Sequence, residues 1–458
     1  MVSVQSCYTV TPSEPTPNEK LYSLCEQIKL RTHAPLLFVY KPHGHEKAST
    51  FVHILRTSLS KALVIYYPLA GRLSWIEGGQ WEIHCNGKGA WLLEANCDEV
   101  KNLDDLGDFV PTNLVSKLMP NIDYGVPIEE VPLLVVQLTR FQCGGLVIGV
   151  ALCRAVIDGI ATMHFMRTWA MLARGENVDL KEMPCHDRTL LDSQKLHMGL
   201  HEHLEFHPPP PWVGELGDTR VVVVDIVKLT QEQVEKLKKK VNSAYGASAA
   251  APRPCSTFEV IAGHLWRCVS KARYEGNGDQ HTRLSTLVNC RNRLRPPFLD
   301  CYAGNAAFPT VTPTCSFDDL MQKPLSYAAW NVRKALERVT GEFVRSALGH
   351  IENQKDMNMV RNNFHYPATS VHEGPFKGNP NLFVVSWMNF PFEDADFGWG
   401  KPVYFGPGFM DSEGKAFIFN NANGNGVIVA ISLDSSHMDS FKKLFYDDIE
   451  EVFTLSKL

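Results

Sequence analysis

Four consecutive prolines, Pro208-Pro209-Pro210-Pro211, interrupt this 458-residue chain close to its middle and decide how it divides. Proline lacks a backbone N–H and its ring fixes φ, so such a run enters neither a helix nor the centre of a sheet. Between about residues 185 and 215 no apolar period survives, and a chain this long exceeds one ordinary core. The expectation is an N-terminal domain over 1–190, a linker over 191–215 and a C-terminal domain over 216–458. The linker also holds His197, His201, His203 and His207. Lacking Cys or carboxylate partners at ligand spacing, they read as a solvated loop, and no metal is expected.

Both halves mix the two hydrophobic periods. Val10 to Pro17 is too Pro-rich for a helix and reads as an edge strand. Phe51, Leu55, Leu59 and Ala62 share one face of a helix over 49–63, with Ser49 or Thr50 as its cap. A strand region punctuated by Gly and Pro runs from Leu63 to about Glu94. Leu146 to Leu152 is a short apolar run, hence a buried strand, and the segment after Asp158-Gly159 turns helical through Ile160, Met163, Trp169 and Leu172. In the second half, Thr230 with Gln233 forms a capping box ahead of the stripe Val234, Leu237 and Val241. Strands are expected at 221–224, 382–387 and 427–431, and helices near 257–272 and 326–347.

Bulk properties remove several classes of function. A net charge of -5 leaves no basic field for nucleic acid, and no apolar run approaches the 18 residues of a membrane span. Twelve cysteines with no C-x-x-C pair suit a reducing compartment. Ser456-Lys457-Leu458 has the form of the tripeptide read by the peroxisomal import receptor. Peroxisome is therefore the expected location, cytoplasm the alternative, and a monomer the expected state.

Three distant blocks carry a resemblance. They are Tyr67-Pro68-Leu69-Ala70-Gly71-Arg72, then Arg154-Ala155-Val156-Ile157-Asp158-Gly159, then Asp396-Phe397-Gly398-Trp399-Gly400. With Ser256-Thr257-Phe258-Glu259 and Tyr302-Ala303-Gly304-Asn305 in the same order, the chain resembles the plant BAHD acyltransferase family along nearly its full length. Leu138-Thr139-Arg140-Phe141 and Val385-Ser386-Trp387 are similar to the hydroxycinnamoyltransferase branch, which serves shikimate, quinate and polyamine acceptors. The resemblance implies an α/β protein of two chloramphenicol-acetyltransferase-like domains with mixed sheets and an active-site channel at their interface. Acyl-CoA would enter from one face as co-substrate and a small-molecule acceptor from the other, with no permanently bound cofactor. It further implies substrate contacts at Ala303, Ser386 and Trp387, and a structural role for Asp396, Gly398, Trp399 and Gly400. Asp158 would pair with Arg291 or Arg293, and Gly159 would permit a tight strand-to-helix turn.

Arg154 departs from that pattern, because the family places a His four residues before the Asp. The His takes a proton from the acceptor as it attacks a thioester, a task that needs a pKa near working pH. A guanidinium stays protonated and cannot do this, although it can hold a developing oxyanion or a carboxylate. Arg154 and Asp158 are the candidate catalytic pair, and Arg154 reads as an anion-binding group; the alternative is that it pairs with Asp158 and plugs the channel. His164 reads as core packing, and Cys153 faces away from its strand neighbour Arg154. Three functions stay open: an aromatic acyl transferase to an amine or alcohol, a recruited lyase, cyclase or condensing enzyme, and a binding protein without catalysis. The terminal tripeptide has its own test. An N-terminal fluorescent fusion should collect in peroxisomes, and deleting Ser456-Lys457-Leu458 should disperse it; a diffuse signal from the intact chain would contradict the targeting.

Overall fold

The computed structural model describes residues 2–42, 48–192, 201–213, 221–243, 253–294, 301–358, 360–361, 378–422 and 424–450. His197, parts of the expected linker and Ser456-Lys457-Leu458 lie outside the described residues. Five main strands precede the proline run: β1 (Val2–Val10), β2 (His33–Tyr40), β3 (Ala90–Cys97), β4 (Leu134–Phe141) and β5 (Leu146–Cys153). Seven follow it: β6 (Val222–Leu229), β7 (Leu284–Asn289), β8 (Ala307–Val311), β9 (Leu382–Ser386), β10 (Tyr404–Pro407), β11 (Lys415–Asn420) and β12 (Val427–Asp434).

They form two six-stranded mixed sheets, ordered β1-β3-β4-β5-β2-β10 and β8-β7-β9-β11-β12-β6. In the first, β3 and β4 run parallel and every other neighbour is antiparallel. In the second, β9 runs parallel to both β7 and β11. This is the mixed two-domain α/β arrangement expected from the sequence. The domain map needs one refinement. β10 lies in the second half of the chain yet pairs with β2, Tyr404 opposite Val39 and Pro407 opposite Leu36, so the second half lends one strand to the first sheet.

Several local readings hold. Phe51, Leu55, Leu59 and Ala62 are all buried on α1 (Ala48–Ile65), and all of β5 is buried. Helix α2 (Gly159–Ala173) follows β5, and α3 (Thr257–Ala272) spans the expected residues. The Thr230 and Gln233 side chains close the capping box reciprocally. Others shift. The first strand is Val2–Val10, and residues 11–19 are irregular, because three prolines remove the donors a ladder needs. The helix over 326–347 is two helices, α4 (Leu325–Arg338) and α5 (Gly341–Glu352), divided where the Thr340 side chain caps Phe343 N–H. The histidines are not all in a solvated loop: His203 is buried, bonded to Glu205 at 2.8 Å and to Ser346 at 2.9 Å.

The crossover that carries the chain to β10 is fixed by the Asp396–Gly400 turn. Asp396 Oδ1 accepts Gly398 N–H at 2.9 Å and Gly400 N–H at 3.0 Å. Both glycines sit at positive φ, +106° and +100°, where a side chain would be strained. Trp399 then packs edge-on against Phe51 of α1 at 5.1 Å and against Tyr40 of β2 at 6.1 Å. The Tyr40 hydroxyl donates to the Ala395 carbonyl at 2.8 Å. Trp399→Ala should therefore cost about 3–5 kcal/mol, the range for truncating a buried aromatic. Urea unfolding checks this, and a change below about 1 kcal/mol would mean that the turn does not anchor the lent strand.

Candidate active site

At the end of β5 the chain turns through residues 154–158 into α2. Arg154 N–H donates to the Thr32 carbonyl at 3.0 Å, and Asp158 caps α2 by accepting Ala161 N–H at 3.0 Å. From the other half, Arg291 grips the same carboxylate with two bonds, Nη1 to Oδ2 at 2.7 Å and Nη2 to Oδ1 at 3.0 Å. Ala306 N–H adds a fourth contact at 2.8 Å. With both oxygens engaged, Asp158 is a positioning residue, not a proton carrier. Arg291 also donates to the carbonyls of Tyr302 and Gly304 at 2.9 and 3.1 Å. Arg293 is not the partner: its guanidinium donates to the Leu336 and Val339 carbonyls at the C-terminal end of α4.

The turn opens onto a cavity of about 370 Å³ between the two sheets. Arg154, Asp158 and Gly159 line one side; Ser386, Trp387, Phe390, Lys415 and Phe417 line the other, with Lys29 and Asn305 between. Arg154 does not pair with Asp158, which overturns the plugged-channel alternative. Its guanidinium has no hydrogen bond or ion pair among the described residues, while its carbonyl accepts Asn305 Nδ2 at 3.2 Å. Burial lowers its pKa from the ordinary value and the Asp411 carboxylate opposes that shift. It stays a cation.

The remaining expectations divide. Ser386 and Trp387 do line the cavity, and Trp387 builds an aromatic wall with Phe417 at 4.4 Å and Phe390 at 5.8 Å. Ala303 does not line it. Its N–H donates to the Cys185 carbonyl, its carbonyl accepts from Arg188, and the residue is packed in the core. Gly159 is required for a different reason from the one expected. Its φ is not in the left-handed region, but a Cβ there would lie 2.3 Å from Phe390 Cζ. Cys153 is buried, with its thiol pushed up to about 12 chiefly by burial. His164 bonds the Tyr66 hydroxyl at 2.5 Å, away from the cavity.

Lys29, Asn305, Phe390 and Lys415 were not singled out as site residues. Asn305 stood inside a quoted block and could have been. Lys415 precedes an apolar run and looks like an ordinary exposed strand start, so the sequence carries no signal for it.

The buried pair gives a stability prediction. Asp158→Asn leaves Arg291 buried without a counter-charge, which should destabilise the fold by about 3–5 kcal/mol. Chemical denaturation measures it, and a loss under about 1 kcal/mol would show that the pair does not join the halves.

Comparison with known proteins agrees with this geometry. The model of the Transferase family matches residues 1–448. The chain is 41% identical to hydroxycinnamoyl-CoA:piscidic acid hydroxycinnamoyltransferase of Actaea racemosa, over 98% of this chain and all of that one. It is 37% identical to shikimate O-hydroxycinnamoyltransferase of Nicotiana tabacum, over 97% and 99%. In fold it is similar to TRI101 of F. graminearum, crystallised with coenzyme A and T-2 mycotoxin, at a TM-score of 0.77 and 15% identity over 93% of this chain and 97% of that one. The chain belongs to this Transferase family, the BAHD acyltransferases, and is an acyltransferase enzyme with hydroxycinnamoyltransferase relatives.

Proposed function

We propose that the enzyme moves an aromatic acyl group from coenzyme A to an amine or alcohol acceptor, with Arg154 in place of the His expected from the motif resemblance. The observation that carries this reading is the Arg154 guanidinium, which has no hydrogen-bond or ion-pair partner among the described residues, in a cavity walled by Trp387, Phe390 and Phe417. An aromatic acyl chain matches the wall by area and by edge-to-face contact. As the acceptor attacks, the thioester carbonyl becomes an oxyanion, and a fixed cation in a cavity between two sheets stabilises that charge without reorganising. The neighbour solved with coenzyme A and the hydroxycinnamoyl-CoA relative support the donor. The terminal Ser456-Lys457-Leu458 supports a peroxisomal location, and the enzyme is read as a monomer.

One observation favours a second reading. Lys29, Arg154 and Lys415 all line the cavity, whereas Asp158, the one lining carboxylate among the described residues, is already neutralised by Arg291. Such a site also suits a recruited lyase, cyclase or condensing enzyme with an anionic substrate.

Thioester loss on mixing purified enzyme with aromatic acyl-CoAs and candidate acceptors separates the two. Turnover is expected. Arg154→Ala should then lose about 2.7–4 kcal/mol of transition-state stabilisation, as for a deleted oxyanion donor, and Arg154→Lys should keep part of it. Unchanged turnover in Arg154→Ala would remove Arg154 from the chemistry, and no thioester turnover with any donor would leave the second reading.

A further inference from the structure

We propose that Lys415 is the proton acceptor of this site, a role the Arg154 substitution leaves without an imidazole; the inference rests on the acyl-transfer reading. A base here must reach the cavity, keep a free lone pair and not be consumed by the fold. His33 lies near Arg154 but fails on two counts. Its Nε2–H donates to the Pro132 carbonyl, its Nδ1 accepts from the Tyr124 hydroxyl, both at 2.8 Å, and it is buried outside the cavity lining. His164 and Cys153 are outside that lining too. Asp158 has both oxygens engaged, and Lys29 Nζ donates to the Ala307 carbonyl at 2.5 Å.

Lys415 meets all three requirements. It opens β11, where its backbone is held between Phe383 of β9 and Ser432 of β12, and the Ser432 hydroxyl donates to its carbonyl at 3.2 Å. The Cα is therefore fixed while the side chain stays uncommitted. Nζ stands 5.3 Å from the centroid of Phe417, two residues on and on the same strand face. It has no hydrogen bond or ion pair among the described residues, and it lines the wall across from Arg154.

The surroundings suit a neutral amine. Burial, then the charge of Arg154, push the ammonium down to about 8, with the Asp411 carboxylate opposing in part. The other charges at the cavity are Lys29, held on a carbonyl, and Asp158, held by Arg291. A lysine desolvated beside a second cation is an activated base. Arg154 would then act twice, once on the oxyanion and once by disfavouring the charged form of Lys415.

The step balances. The acceptor heteroatom bonds the thioester carbon while its proton passes to Lys415 Nζ, and the carbonyl becomes an oxyanion facing Arg154. Collapse reforms C=O and breaks C–S, and the Lys415 ammonium protonates the departing thiolate. One C–O or C–N bond replaces one C–S bond, and Lys415 ends neutral.

Two measurements on the full-length enzyme test this. Competitive acetic anhydride labelling between pH 6 and 10, read by peptide mass spectrometry, should titrate Lys415 near 8 in the wild type and higher in Arg154→Gln. Titration near the ordinary lysine value of about 10.4 would overturn the proposal without any activity measurement. In turnover, kcat/KM should rise with pH through about 8, as the amine becomes neutral. Lys415→Met should lower it about 10²–10⁴-fold and remove that rise. A small primary amine added to Lys415→Met should restore part of the rate, whereas Lys415→Arg should not, because a guanidinium cannot accept the proton. Full activity in Lys415→Arg would mean that only charge is needed, and unchanged activity in Lys415→Met would end the base role while leaving acyl transfer intact. Absence of thioester turnover in the wild type would instead remove the acyl-transfer reading and the base role together.

Discussion

The buried pair of Asp158 and Arg291 sets the position of everything else at the interface. One carboxylate caps α2, binds the Ala306 amide and receives both terminal nitrogens of an arginine from the opposite half. The same guanidinium holds the Tyr302 and Gly304 carbonyls, so the 302–306 loop is tied to the turn that presents Arg154. A buried ion pair of this kind offsets its own desolvation only when its remaining donors and acceptors are satisfied, and most of them are here. Desolvation cancels much of the attraction in a buried pair, while the two-bond geometry of this one ties the sheets in the placement seen here.

That arrangement explains why a charged side chain can occupy position 154 without disturbing the frame. The carboxylate four residues away is already satisfied and does not draw the Arg154 guanidinium out of the cavity. Had Asp158 been unpaired, the two would form a local ion pair and the site would be electrically closed. Instead the cavity keeps an excess of positive charge beside an aromatic wall. Charge development is stabilised more strongly there than in water, because low polarisability lengthens the reach of each charge.

Much of the frame was legible in the sequence, for identifiable reasons. β5 and α1 announce themselves through unbroken or 3.6-spaced apolar residues, and the Thr230 capping box is a local hydrogen-bond pattern. Arg154 and Asp158 stood out because their block resembles a family motif at fixed spacing in which a His is expected at position 154. The partner of Asp158 could be narrowed only to Arg291 or Arg293, since which of two arginines in one turn faces inward depends on how α4 ends. Ala303 misled because its near neighbour Asn305 does reach the cavity and bonds the Arg154 carbonyl, while its own backbone is tied into a seam with Cys185 and Arg188. Lys415 and Phe390 were invisible: each meets the cavity only through tertiary packing of strands far apart in the chain.

The lent strand bears on synthesis. A ribosome completes β1 to β5 some 250 residues before it makes Tyr404–Pro407, the segment that covers the open edge of β2. Until then the nascent first sheet presents a row of unpaired N–H and C=O groups on a nearly all-buried strand, the geometry that recruits other chains. The N-terminal half therefore lacks one edge strand of its own sheet until Tyr404–Pro407 arrives, delivered by Trp399 and the Asp396 turn.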